Sequence, residues 1–61
     1  MNKDISGNAL SEYQVVVDPD GRLLTVESFL PSGNVKCRNG CLFMYWEPER
    51  LKRVNYIEDL V

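Results

Sequence analysis

Two cysteines and two neighbouring carboxylates are the residues of this sequence with the most obvious chemistry. Cys37 and Cys41 are separated by three residues, and the chain contains no histidine. Zinc in proteins normally takes four Cys, His or carboxylate ligands, so this pair predicts no metal site, and no other pattern predicts a cofactor. Two cysteines also do not make a disulfide framework. We expect both thiols to be free, with Cys37 serving as a small core residue.

The carboxylates do not build a catalytic site either. Catalysis needs a nucleophile or an acid–base group held beside a partner that activates it. The two thiols have no histidine to activate them. Glu47 and Glu49 flank Pro48 in a segment that has the composition of an exposed turn. The sequence therefore predicts a protein without enzymatic activity.

A group of cations and aromatics is more informative, and its placement depends on a predicted hairpin. Asn39-Gly40 separates two strand-like runs, and both residues tolerate the positive φ that a type I′ turn requires. Side chains then alternate between the two faces of the hairpin. The predicted core face holds Val35, Cys37, Leu42, Met44 and Trp46. The predicted outer face holds Lys36, Arg38, Cys41, Phe43 and Tyr45.

Four residues of that outer face, Lys36, Arg38, Phe43 and Tyr45, are the candidate binding residues. Three interpretations of the face stay open: a curled sheet covers it, the N-terminal arm or the tail lies over it, or it meets a partner. Protein interfaces are enriched in aromatics and arginine, and single-stranded nucleic acid stacks on aromatic rings. If this face is structural, the binding site is expected on the following turn, at Glu47, Glu49, Arg50 and Arg53.

Length and charge limit what such a chain can be. Sixty-one residues make one domain with a small core, and a chain of this size buries only about 60% of its unfolded surface. The net charge is −2, with a mildly basic segment over residues 36–53 inside an acidic protein, whereas nucleic-acid binders are more often basic overall. The polar start and the short apolar runs predict no signal peptide and no membrane span. We therefore expect a cytoplasmic protein.

The elements that would position these residues are mainly strands. Residues 1–11 are small and polar and are expected to form a flexible arm, and residues 12–61 a single β domain. Strands are predicted over residues 12–18, 22–30 and 34–38 and after the Asn39-Gly40 turn. From Pro48 two alternatives stay open, a helical turn leading into a short last strand, which we favour, or a longer helix through Leu51, Val54, Ile57 or Glu58, and Val61.

The segments Gly33-Asn34-Val35-Lys36-Cys37-Arg38 and Tyr45-Trp46-Glu47-Pro48-Glu49-Arg50-Leu51-Lys52-Arg53-Val54 resemble the endings of small SH3-like barrel proteins. These proteins are of bacterial or prophage origin and include the YodC-like group, and the similarity spans roughly residues 21–54. It implies a small SH3-like barrel, or a four- to five-stranded antiparallel meander with a short helical turn. Such barrels serve as RNA-binding modules, subunits of large complexes and phage-encoded inhibitors, so the fold does not decide the function.

The sequence thus favours a small protein-interaction module, such as a phage-encoded accessory or inhibitor that binds a larger protein assembly. The alternative is an SH3-like domain that binds RNA or single-stranded DNA. A chain with so small a core and an aromatic strand to cover is also expected to self-associate as a homodimer.

Overall fold

The computed structural model describes residues 3–54 of the chain. These residues form five strands and one short helical turn. The strands are β1 (Val15–Val17), β2 (Leu23–Phe29), β3 (Val35–Asn39), β4 (Leu42–Trp46) and β5 (Lys52–Arg53), and the 3-10 turn Pro48–Arg50 lies between β4 and β5. This arrangement confirms the mainly-β prediction: β1 to β4 form an antiparallel meander, a short helical turn follows, and β5 adds a fifth antiparallel strand.

The sheet has the order β4-β3-β2-β1-β5, with all neighbours antiparallel. The last strand, β5, does not pair with β4 but lies at the other edge of the sheet, beside β1. There Val54 N–H donates to the Val15 carbonyl at 3.0 Å. Within residues 3–54 the sheet is open, and β4 and β5 form its two edges.

The core lies on one face of this sheet. Alternation places Val16 of β1, Leu24 and Val26 of β2, and Val35 and Cys37 of β3 on that face, all of them almost completely buried. Among residues 3–54, two residues outside the first four strands also belong to the core, Leu10 from the N-terminal segment and Leu51 from the end of the 3-10 turn. The face is covered by chain that approaches from both ends of the sequence.

Strand β1 is shorter than predicted because the chain turns at Tyr13. Ser11 C=O accepts a bond from Gln14 N–H at 3.3 Å, and Tyr13 has a φ of 66°. Tyr13 N–H then donates to Val26 C=O at 2.7 Å, while Val26 N–H donates to Gln14 C=O at 2.8 Å. Two residues thus oppose one, which is the hydrogen-bond pattern of a β-bulge with its first residue in the left-handed region.

The turn between β1 and β2 is the one that Asp18-Pro19-Asp20-Gly21 predicts, and Asp18 holds it together. The buried Asp18 carboxylate accepts bonds from the backbone N–H groups of Asp20 and Arg22, at 3.0 and 2.8 Å, and from Arg22 Nε at 2.9 Å. Burial alone would raise the pKa of Asp18, but the bonds from Arg22 and its positive charge outweigh it and lower the pKa below the usual value.

The N-terminal segment is tied to the last strand. Asp4 is buried, and its carboxylate accepts the backbone N–H groups of Ser6 and Asn8 at 3.0 and 2.7 Å. It also accepts the backbone N–H of Arg53 at 2.8 Å, and Ile5 N–H donates to the Leu51 carbonyl at 2.8 Å. The flexibility predicted for residues 1–11 stays a prediction, but residues 3–10 are connected to both β5 and the core.

The segment after β4 follows the favoured alternative. Glu47 C=O accepts Arg50 N–H at 3.0 Å, and Pro48 C=O accepts Leu51 N–H at 3.1 Å, after which the backbone is extended and enters β5. The longer helix is therefore wrong for residues 48–54, because β5 must extend to pair with β1. The part of that prediction at Ile57, Glu58 and Val61 lies outside the described residues.

Candidate functional site

The β3–β4 hairpin builds the candidate site, and its turn differs from the predicted one by a residue. The strands pair Asn39 with Leu42, so the two turn residues are Gly40 and Cys41. Gly40 has a φ of 63°, whereas neither Asn39 nor Cys41 is among the residues with positive φ. Glycine at the first turn position with positive φ only there is the pattern of a type II′ turn. The prediction of a type I′ turn at Asn39-Gly40 was wrong.

The predicted faces are the observed ones for eight of the ten assigned residues. Cys41 lies in the turn, and Leu42, predicted as a core residue, is 65% exposed and does not belong to the core. Moving the turn by one residue shifts the strand pairing by two, and side chains repeat every two residues. Val35 lies opposite Trp46 and Cys37 opposite Met44 on the core face. Lys36 lies opposite Tyr45 on the outer face, and Arg38 opposite Phe43.

These four outer-face residues form one contiguous surface. The Lys36 Nζ atom sits 4.3 Å from the centre of the Phe43 ring, diagonally across the two strands. A cation this close to a ring face is attracted to it. Phe43 is 47% exposed and Tyr45 56% exposed, so residues 3–54 leave much of each ring accessible. Within those residues, neither the sheet nor the N-terminal segment buries this face.

One carboxylate also belongs to this face. Glu27 Oε1 lies 3.8 Å from Arg38 Nε. Strand alternation puts Glu27 on the face opposite the buried Val26, and β2 is irregular between Val26 and Ser28, which pair with Cys37 and Lys36 respectively. The carboxylate near Arg38 makes the local surface mixed in charge.

The second predicted group does not form a single site with the first. Glu47, Glu49 and Arg50 are exposed on the 3-10 turn after β4. Arg53 lies on β5, at the opposite edge of the sheet from β4, next to β1. Because three strands separate β4 from β5, Arg53 belongs to another region of the surface.

The two thiols differ in surroundings. Both are free; Cys37 is buried on the core face and Cys41 is exposed in the turn. Burial, and then the negative charge of Asp18, raise the pKa of Cys37 to about 11. A thiol with so high a pKa is almost entirely protonated at neutral pH and is a poor nucleophile or metal ligand.

The described residues were also considered as a possible metal site and as a possible membrane span. Within residues 3–54 no group of three or more His, Cys, Asp or Glu side chains is placed to hold a metal ion. In the same range, no helix is long and apolar enough to cross a membrane.

Sequence reasoning missed one polar group with structural importance. Asp4 lies in a stretch that appeared to be a loose arm, yet it accepts bonds from both ends of the described chain. A local signal was present, because an Asp with Ser6, Gly7 and Asn8 two to four residues later is typical of a turn in which the carboxylate binds nearby N–H groups. Its bond to Arg53, 49 residues away, has no signal in the sequence.

Trp46 was predicted as a core or rim anchor and is partly buried against the core. Its indole Nε1 is buried and has no hydrogen-bond partner within residues 3–54.

No family model, curated protein or solved structure matches this chain.

Proposed function

We propose that this protein is a small, non-enzymatic protein-interaction module whose contact surface is the outer face of the β3–β4 hairpin. The observation that carries the proposal is the exposure of Phe43 and Tyr45 beside Lys36 and Arg38 on a two-stranded support. Rigid aromatic side chains with neighbouring cations are the residues that interfaces use as anchors.

The preorganisation of this surface supports the proposal. Lys36 is held over the Phe43 ring and Arg38 lies near Glu27, so two long side chains already have partners. Less rotamer entropy is then lost when a partner binds. The same cations offer donors for carboxylates or backbone carbonyl groups at the rim of an aromatic contact.

The charge of the face favours protein over nucleic acid. Glu27 lies beside Arg38 and would repel a phosphate at that position. The protein as a whole carries a net charge of −2. Nucleic-acid binding gains most of its affinity from cations that neutralise phosphates, and this face offers few that are not already paired.

The role that follows is that of an accessory or inhibitor, one encoded by a phage being an example, that occupies a surface on a larger protein assembly. Two free thiols suit a reducing compartment such as the cytoplasm. The order of four strands, a 3-10 turn and a fifth strand is compatible with the SH3-like architecture that the sequence resemblance implies.

The test is a pull-down from a cell lysate with three immobilised proteins, each verified as folded. They are the parent chain, a Phe43→Ala/Tyr45→Ala variant and a Leu23→Ala control. Leu23 is 59% exposed but lies on β2, outside the proposed surface. Proteins captured by the parent and the control but not by the double variant are the partners. With a purified partner, Phe43→Ala should weaken binding by about 2 kcal/mol or more, and Lys36→Ala should mainly slow association.

The nucleic-acid alternative is tested on the same proteins with oligo(dT) and oligo(rU) by fluorescence anisotropy. We expect weak binding that is insensitive to the aromatic substitutions. Tight binding that falls steeply with salt and is lost in the Phe43→Ala/Tyr45→Ala variant would replace the proposed function with single-strand recognition. Retention of every captured protein by the double variant would place the binding site elsewhere, first of all on the turn at Glu47, Glu49 and Arg50.

A further inference from the structure

We infer that β4 pairs, edge to edge and antiparallel, with β4 of a second copy of this chain, with Met44 on the two-fold axis. The inference rests on the backbone edge of β4, and the pairing also brings Phe43 and Tyr45 of the proposed contact surface beside those of the second copy. It does not require the partner binding that is proposed for that surface.

The two edges of the sheet are treated differently by the rest of the chain. At the β5 edge the exposed side chains are Lys52 and Arg53, and the outward N–H of Arg53 is already bonded to Asp4. Charged side chains, short length and a covering segment all prevent further strand pairing. That edge is closed.

The β4 edge has none of these protections within residues 3–54. Leu42–Trp46 is five residues long and contains no charge, no proline and no bulge. Strands of this kind are templates for pairing with another strand. Only β3 is paired with it in the described chain.

The hairpin determines which backbone groups are open. The pair that flanks a two-residue turn, Asn39 and Leu42, exchanges both of its hydrogen bonds, and bonded pairs then alternate along the ladder. Leu42, Met44 and Trp46 therefore point their N–H and C=O groups towards β3. The N–H and C=O groups of Phe43 and Tyr45 point outward.

Those outward groups fix the favoured register. If Met44 faces Met44 of the second copy, Phe43 of each copy pairs with Tyr45 of the other, and all four outward N–H groups find carbonyls. Aromatic rings then lie opposite aromatic rings on the outer face. On the core face Leu42 meets Trp46 of the second copy, so no polar side chain is buried by the pairing.

The charges next to β4 do not oppose pairing with a second copy of the same chain. In this register the next position beyond the strand sets Glu47 opposite Cys41 of the second copy, so like charges do not face each other. An interface that is self-complementary about a two-fold axis is the commonest way in which identical chains associate. Five residues of strand bury less than a standard interface, so the dimer should be weak and concentration-dependent.

The first experiment is sedimentation velocity of the full chain over a range from micromolar to millimolar concentration. The mass should rise from 7.0 kDa towards twice that value. Leu42→Asp and Leu23→Asp form a matched pair, since both leucines are exposed, at 65% and 59%, and only Leu42 lies on β4. Leu42→Asp should weaken the dimer at least tenfold, and Leu23→Asp should leave it unchanged.

The second experiment tests the register. In a Cys41→Ser background, Met44→Cys places two thiols directly opposite each other at a Cα separation of about 4.5 Å, within the range of a disulfide. Leu42→Cys in the same background places its thiols about four residues apart along the strands, on the order of 13 Å. Oxidation should link the Met44→Cys chains into dimers and leave the Leu42→Cys chains monomeric.

Three results would overturn the inference. They are a parent chain that stays monomeric at millimolar concentration, equal weakening by Leu42→Asp and Leu23→Asp, and linkage through Leu42→Cys in preference to Met44→Cys. The first measurement needs no variant and the second does not change Met44, so a poorly folded Met44→Cys chain does not remove the test.

Discussion

Tyr13 is the only residue other than glycine in residues 3–54 with a positive φ, at 66°. For an L-amino acid this region costs roughly 1–2 kcal/mol because Cβ approaches the following carbonyl oxygen. The side chain is 70% exposed, so it gains little from burial. The bulge that Tyr13 forms sets the start of β1, and the position therefore needs the backbone conformation more than it needs the tyrosine ring.

The expected consequence is that Tyr13→Gly is more stable than Tyr13→Ala by about 1 kcal/mol, because only alanine retains the strain. In an ordinary extended position the order would be reversed. Urea unfolding of the parent and the two variants measures the difference. An alanine variant at least as stable as the glycine variant would show that the backbone at Tyr13 is not left-handed.

At the scale of the elements, hydrophobic alternation predicted the strands and their faces, whereas the turn residues did not predict the position of the β3–β4 turn. The bounds of β2 and β3 were predicted to within one residue, because β-branched and aromatic residues alternate there between glycine- and proline-containing turns. The strand β4 was predicted without an end, as the run that follows the turn. The predicted position of the β3–β4 turn was wrong. Asn39-Gly40 and Gly40-Cys41 both contain a glycine suited to positive φ, so the residue types alone do not distinguish the two turns. The candidate face was still assigned correctly, because both turns give the same side-chain parity.

The difference between the two turns can be measured with Gly40→Val and Asn39→Val. Gly40 has a φ of 63°, and a Cβ added there would meet no atom within 4 Å, so the penalty arises from the backbone alone. We expect Gly40→Val to destabilise the protein by about 1–2 kcal/mol or more. Asn39 lies in β3, where valine is a favoured residue, so Asn39→Val should change stability by less than about 0.5 kcal/mol.

Thermal or urea unfolding of these two variants decides between the turn types. A type I′ turn needs positive φ at both positions and would make Asn39→Val as damaging as Gly40→Val. A Gly40→Val protein with the parent's stability would contradict both assignments.

At the scale of the whole molecule, the sequence did not reveal how its two ends meet. The small core includes Leu10 and Leu51, which come from segments that have no regular hydrophobic period. The bond between Asp4 and the backbone of Arg53 joins the same two segments, and a contact over such a separation is decided by the folded sheet and not by local preference. The candidate face, by contrast, depends on one hairpin, and so it could be predicted from neighbouring residues.

Asp4 should therefore contribute to the stability of the whole domain, in a manner that depends on pH. Burial alone would raise the pKa of Asp4, but bonds from the N–H groups of Arg53, Asn8 and Ser6 outweigh it and lower the pKa below its usual value. A carboxyl group whose pKa is lower in the folded state stabilises the protein fully above its unfolded value. That contribution is lost as the pH falls through the folded value, so the parent should weaken below about pH 4.

Asp4→Ala removes the acceptor and leaves the Arg53 N–H without its partner, which should cost about 1–3 kcal/mol at pH 7. The variant should also lose less stability than the parent between pH 5 and pH 3, since one of the protonating groups is gone. Hydrogen exchange tests the bond itself, because the Arg53 amide should exchange rapidly in Asp4→Ala and slowly in the parent.

Asp20→Ala is the matched control, as its exposed carboxylate forms only a surface ion pair with Arg22, worth less than about 1 kcal/mol. If the Arg53 amide is equally protected in Asp4→Ala and in the parent, the N-terminal segment does not close the β5 edge.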